Sequence, residues 1–151
     1  MAKTGETHQG LFDLSFLSSI PNFTVMAPKN FVELEKMLEF SINLGKPVAI
    51  RYPRGGEGNI KFEKFEKDEE IILGKAEVLK EGNDITIVAI GKMVTRAMEV
   101  ATILKEKSIE VEVINARFLK PLDNDTILNS AKKTKNVITI EDGIVERWIR
   151  N

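Results

Sequence analysis

Between positions 85 and 141, short β-branched runs alternate with helical stripes, and that alternation admits few folds. Ile85-Thr86-Ile87-Val88-Ala89-Ile90 is apolar on both faces, as expected of a central strand covered on two sides. Val94, Ala97, Met98, Ala101 and Leu104 recur at helical spacing and predict a helix ending near Lys107. A strand is expected over 110–115, then a helix capped by Asp123 and carrying Ile127, Leu128 and Ala131, then a strand over 137–141. Strand, helix, strand, helix, strand predicts an α/β fold built on a right-handed parallel unit. A further strand is expected over 71–79, with Gly82-Asn83 turning the chain after it.

The first third carries a smaller pattern of the same kind. Phe23-Thr24-Val25-Met26-Ala27 reads as a short buried strand stopped by Pro28. Asn30 is a candidate N-cap with Glu33 three residues later, which approximates a capping box. Phe31, Leu34, Leu38 and Ile42 recur at helical spacing and are expected to face the core, and Gly45 ends that helix. Pro47-Val48-Ala49-Ile50-Arg51 is a second strand, broken by Pro53-Arg54-Gly55-Gly56. Residues 57–70 are rich in Lys, Glu and Asp and read as a solvated connector, pinned by Phe62 and Phe65. The expected organisation is a partial lobe over 1–56, the charged linker over 57–70 and a second lobe over 71–151.

Charge and composition exclude several functions. With 22 Lys plus Arg against 23 Asp plus Glu, the net charge is -1, and no stretch has the basic excess that phosphate-backbone binding demands. Nucleic acid is therefore not an expected partner. No apolar run approaches the roughly 20 residues of a membrane-spanning helix, and no long apolar stretch follows the first lysine, so a cytoplasmic protein is expected. The absence of cysteine excludes disulfides, thiolate chemistry and a zinc–thiolate cluster.

His8 is the sole histidine, set among Gly5, Thr7, Gln9 and Gly10. Small neighbours let a ligand approach the backbone, and imidazole exchanges protons near neutral pH. The residues alone leave a surface or structural role open. Arg54 has the chemistry of a phosphate ligand, but the residues alone read more simply as an arginine paired with a carboxylate at a sheet edge. Arg51 is read as half of a structural ion pair and Tyr52 as a packing residue. Gly91-Lys92-Met93 precedes a helix and has the form of a weak anion cradle. Glu141 and Asp142 are adjacent on an extended chain, where neighbours point apart, and are read as structural.

The ordered series Gly5-Glu6-Thr7-His8-Gln9-Gly10, Ile20-Pro21-Asn22, Met26-Ala27-Pro28 and Arg51-Tyr52-Pro53-Arg54-Gly55 resembles the 1-deoxy-D-xylulose-5-phosphate synthase family. Thr-His-Gln is shared with the wider transketolase family, whereas Arg-Tyr-Pro-Arg-Gly is more particular to the synthases. Arg117-Phe118-Leu119-Lys120-Pro121-Leu122-Asp123 and Glu141-Asp142-Gly143 resemble the C-terminal domain of the same family.

The resemblance implies parallel-sheet transketolase-like lobes: part of a pyrimidine-binding domain, then a C-terminal domain. It implies thiamine diphosphate and magnesium as cofactors, and pyruvate and glyceraldehyde 3-phosphate as substrates, condensed with loss of carbon dioxide toward isoprenoid, thiamine and pyridoxal precursors. His8 matches the family's active-site histidine and is the one residue here with a possible contact to the cofactor. Arg54 matches the arginine that binds the acceptor's phosphate. No metal ligand carries over. Thr4 stands where the family has aspartate, and the diphosphate- and metal-binding part has no counterpart. No synthase activity is therefore expected from the isolated chain; association with a second copy or with the missing N-terminal part is. Two alternatives remain: a non-catalytic interaction or dimerisation module, and a subunit of a split transketolase or 2-oxo-acid dehydrogenase.

Overall fold

A computed structural model of the chain describes residues 12–52 and 70–142, and within them four helices and seven strands form a mixed α/β structure with two sheets. The first elements are helix α1 (Asp13–Ser18), strand β1 (Thr24–Met26), helix α2 (Phe31–Leu44) and strand β2 (Val48–Ile50). Strand β3 (Glu77–Lys80), strand β4 (Ile85–Ala89), helix α3 (Met93–Glu106), strand β5 (Val111–Asn115), strand β6 (Phe118–Lys120), helix α4 (Asn124–Thr134) and strand β7 (Val137–Ile140) follow.

The alternation read between 85 and 141 is present as a parallel unit. β4 pairs parallel with β5 on one side and with β7 on the other, with α3 and α4 as the crossovers. β4 and β5 are buried almost throughout, which is why their sequences show no polar alternation. β3 closes the far edge antiparallel to β5, giving the order β3-β5-β4-β7. Val94, Ala97, Met98 and Ala101 of α3 pack with Ile87, Ala89, Val111 and Val113 in one core cluster. α4 is tied down by polar contacts: the buried Thr86 hydroxyl lies 2.5 Å from that of Ser130 and 2.7 Å from that of Thr134.

The second sheet has the order β2-β1-β6. β1 and β2 are parallel across α2, as their spacing implies, but β6 comes from the second half of the chain and lies antiparallel on the other side of β1. The edge of β1 that the first lobe leaves open is thus covered from the second.

Four expectations need correction. The strand expected over 71–79 is only β3, because Gly74 at φ 68 and a hydrogen bond from Lys75 N–H to Ile72 O (3.0 Å) turn the preceding residues. α1 and β6 were not read from the sequence; each is too short to show a period. Leu128, expected on the inner face of α4, is exposed, while Ile127 packs inward.

The fourth correction concerns α2, whose ends are as expected. Asn30 Oδ1 accepts from Glu33 N–H (2.8 Å), and Gly45 takes the left-handed conformation (φ 64) at the C-terminus. Its buried face is the wrong one, however: Phe31, Leu38 and Ile42 are 57%, 51% and 83% exposed, whereas Glu33 and Met37 are buried. Met37 packs with Met26, Ile71 and Phe118, and Phe40 meets Phe118 edge-on at 5.9 Å. At 100° per residue, positions 33, 37 and 40 lie opposite 31, 38 and 42, so α2 is apolar on two sides. Periodicity alone could not choose between them.

No helix among the described residues is long and apolar enough to cross a membrane. The reassigned face of α2 predicts a clear contrast in urea unfolding. Met37→Ala is expected to lose about 3 kcal/mol of stability, whereas Ile42→Ala stays within about 0.5 kcal/mol of the parent. Equal losses would restore the original face.

Candidate functional site

Two clusters of charged side chains join the halves of the chain. The first is buried where the N-terminus of α2 meets β3 and the corner between β5 and β6. Lys29, Glu33, Glu77, Asn115 and Arg117 are all buried there. Lys29 Nζ donates to Glu33 Oε1 (3.2 Å) and to Glu77 Oε2 (2.9 Å). Arg117 Nε donates to Glu33 Oε1 (2.8 Å), and its Nη2 lies 3.1 Å from Glu77 Oε2. Asn115 Nδ2 donates to both carboxylates, at 2.9 and 3.2 Å. The Lys29 backbone N–H donates to Glu33 Oε2 (2.7 Å), so the capping glutamate serves the helix start and the cluster together.

Among the described residues, two carboxylates face one ammonium and one guanidinium. Burial alone would raise the Glu77 pKa; the Lys29 hydrogen bond and charge, the Arg117 charge and Asn115 outweigh it and hold the carboxyl below its ordinary value. The sequence named Glu33 only as a cap. Glu77, Asn115 and Arg117 lie 38 to 84 residues from their partners, and no local pattern could have joined them.

The second cluster lies at the carboxyl ends of the parallel strands, the usual place for ligands in open α/β sheets. Arg51 follows β2, Gly91-Lys92 follows β4 and Glu141-Asp142 follows β7. The Arg51 guanidinium donates to Asp142 Oδ1, and Lys92 Nζ lies 2.8 Å from Asp142 Oδ2. Burial would raise the Asp142 pKa, but its hydrogen bonds to Arg51 and Lys92 and their charges lower it, so it stays ionised. The reading of Arg51 as half of an ion pair holds, and its partner is one of the two carboxylates read as structural.

Glu141 differs from its neighbour. Its Oε2 is buried and finds no hydrogen-bond donor among the described residues. Burial and the nearby Asp142 charge raise its pKa, with Arg51 opposing in part. Gly91 takes a left-handed conformation, and a Cβ there would stand 3.3 Å from that of Ala27. Close approach between the sheets accounts for that glycine, and the Lys92 cation beside it already faces Asp142. Tyr52, expected to pack, is 63% exposed. His8 and Arg54 lie outside the described residues, as do Phe62 and Phe65 of the connector. Among the described residues no three His, Cys, Asp or Glu side chains are placed to hold a metal ion.

Two variants follow. Glu33→Gln strands Lys29 and Arg117 short of counter-charge and is expected to lose about 3–5 kcal/mol, read by urea unfolding. The stability that Glu77 ionisation supplies is complete above its ordinary pKa and fades as pH falls through its lowered value, so Glu77 contributes to the acid limb of that unfolding profile together with Glu112, Asp123 and Asp142, whose carboxyls are also held low. For Glu141 the sign reverses. Its neutral form is favoured in the fold, so stability falls as pH rises from the ordinary carboxylate value through its raised one. Glu141→Gln should therefore raise the melting temperature at pH 7 and leave it unchanged near pH 4; a loss at pH 7 would contradict the buried, unpartnered carboxyl.

Comparison with known proteins places this geometry. Residues 1–57 match the transketolase pyrimidine binding domain, and residues 74–147 match the transketolase C-terminal domain. The 1-deoxy-D-xylulose-5-phosphate synthase of Natranaerobius thermophilus is 51% identical over 139 residues, 91% of this chain and 22% of that protein. The enzyme of that name from Clostridium acetobutylicum is 44% identical over 149 residues, 99% of this chain and 24% of that protein. The chain thus spans between a fifth and a quarter of the length of these relatives. A solved structure described as a split gene transketolase, inactive beta4 tetramer, superposes with a TM-score of 0.87 at 32% identity, over 95% of this chain and 46% of that one. Transketolase from Pichia stipitis superposes with a TM-score of 0.71 at 19% identity, over 94% of this chain and 21% of that one, a likeness of fold.

Proposed function

The chain belongs to the transketolase family, and from that premise we propose that it is a portion of a 1-deoxy-D-xylulose-5-phosphate synthase. The observation that carries this is the 51% identity to such a synthase over 139 residues, running through both family domains without a break in order. Residues 1–56 are assigned to the pyrimidine-binding part, 57–70 to a connector and 71–151 to the C-terminal part; matches ending at 57 and beginning at 74 support that division. The reaction in this reading joins pyruvate to glyceraldehyde 3-phosphate with release of carbon dioxide.

His8 stands near the reacting donor in this reading, where an imidazole donates a hydrogen bond or moves a proton as charge develops. Arg54 holds the acceptor's phosphate through two oxygens, and a guanidinium suits that task because it stays charged and is planar. Fixing the distal phosphate orients the aldehyde at the other end, which aids the chemical step as well as binding. The described residues offer no group of three His, Cys, Asp or Glu side chains for a metal ion. Thiamine diphosphate and magnesium are accordingly assigned to the parts of a synthase that this chain does not span. A second reading, a subunit that assembles with copies of itself, is favoured by the likeness to a structure described as a beta4 tetramer of a split gene transketolase.

The test is reconstitution. The purified chain is expected to form no product from pyruvate and glyceraldehyde 3-phosphate alone, and to form it when mixed with the upstream part of the Natranaerobius synthase. His8→Ala should lower that activity by about 10²-fold or more. Arg54→Ala should raise the KM for the aldehyde and leave that for pyruvate unchanged. A mixture that stays inactive, with a chain that sediments as a stable oligomer, would favour the self-assembling reading.

A further inference from the structure

β7 stands last in its sheet, and among the described residues β4 is its only neighbouring strand. Thr86 N–H donates to Asn136 O (2.8 Å), so Asn136, Ile138 and Ile140 turn their backbone groups toward β4. Val137 and Thr139 accordingly turn theirs to the outer edge. Sheet edges are normally guarded by charged side chains, proline or a bulge. β3, at the other edge, is guarded in this way: it carries Glu77 and Lys80, and its pairing shifts register between Val78 and Lys80. β7 has no such guard. Val137-Ile138-Thr139-Ile140 is uncharged and pairs with β4 without a register shift. Ile140 packs against the core beneath α3, yet Val137 and Ile138 are 42% and 48% exposed.

We propose that the outer edge of β7 binds β7 of a second copy of the chain, antiparallel about a twofold axis. The inference rests on the self-assembling reading given above and names its surface. A strand edge accepts another strand through the backbone, and side chains select which one. Lys132, Lys133 and Lys135 precede β7, and Glu141 and Asp142 follow it. The strand therefore runs from a basic end to an acidic one, and an antiparallel copy sets each basic end beside an acidic one. Lys133 and Asp142 have partners within the chain, so register falls to the exposed Lys135 and to Glu141, whose buried Oε2 meets no donor among the described residues. With Val137 and Thr139 exchanging backbone bonds across the axis, Lys135 stands level with Glu141 of the copy. Ile138 then faces its own counterpart as a non-hydrogen-bonded pair, the kind whose side chains lie closest. The next register, centred on Thr139, would set Val137 against the Glu141 carboxyl instead. A twofold pair occupies both edges, so assembly through this surface closes at the dimer.

Sedimentation velocity of the chain over a range of concentrations is the first measurement. A weak, concentration-dependent dimer is expected, because four-residue strands make a small interface, below about 1,200 Å². Thr139→Pro removes an outward N–H that the chain's own sheet does not use, so the fold should keep its melting temperature within a few degrees. It deletes two hydrogen bonds across the axis and should weaken association about tenfold or more. The chain has no cysteine, which makes a cross-link unambiguous. Ile138→Cys should oxidise to a disulfide-linked dimer, whereas Ile140→Cys, opposite Asn136 in this register, should not. If Thr139→Pro does not fold, the two cysteine variants decide alone. An oligomer that ignores Thr139→Pro, or forms no disulfide through Ile138→Cys, overturns the β7 surface and leaves self-assembly standing. A chain that stays monomeric at every concentration, with no Ile138→Cys disulfide, overturns both.

Discussion

Among the described residues, two carboxylates and two cations share one buried space where α2, β3 and the β5–β6 corner meet, and the arrangement of both sheets depends on their contacts. Charges so placed are costly to desolvate, and their attraction repays the cost only when every partner is in position. Glu33 and Lys29 come from the first sheet's crossover, Glu77 and Arg117 from the second half of the chain. Each half holds one carboxylate and one cation, and each carboxylate takes both cations, so the hydrogen bonds are complete only when the halves meet. The lobes are accordingly coupled by electrostatics as well as by the strand β6 that crosses between them. Asn115 at the centre, fully buried, supplies donors to both carboxylates and removes the remaining freedom.

That demand explains why α2 sits as it does. A glutamate at the third position of a helix normally serves its own N-terminus, and Glu33 does so while also receiving Arg117. Turning Glu33 inward carries Met37 and Phe40 with it, since they lie on the same side of the helix. Phe31, Leu38 and Ile42 are then left outward. The apolar stripe loses this contest because burying it would expel the capping carboxylate from its cations.

The second cluster shows how the same fold treats two neighbouring carboxyls differently. Asp142 lies between a guanidinium and an ammonium, and their field outweighs its desolvation. Glu141, one residue earlier and therefore facing another way, meets burial and the charge of Asp142 instead. Adjacent acids in a sequence suggest a pair acting together. Here backbone geometry separates them into an ionised anchor and a carboxyl whose pKa is raised by burial.

The sequence by itself determined the local and the periodic. The parallel unit from β4 to β7 follows from doubly apolar strands alternating with helical stripes. The ends of α2 follow from Asn30 and Gly45, and the cap of α4 from Asp123, because each acts within a few residues of itself. Family membership was legible for the same reason: short ordered motifs need no tertiary information. Tertiary structure alone decided which face of α2 is buried, that β6 leaves its own half to cover β1, and that Arg51 meets Asp142. Those outcomes turn on pairings 82 to 95 residues apart along the chain. Whether a charge or a strand edge is satisfied depends on what the fold brings to it from a distance, and the neighbours of a residue in sequence carry no record of that.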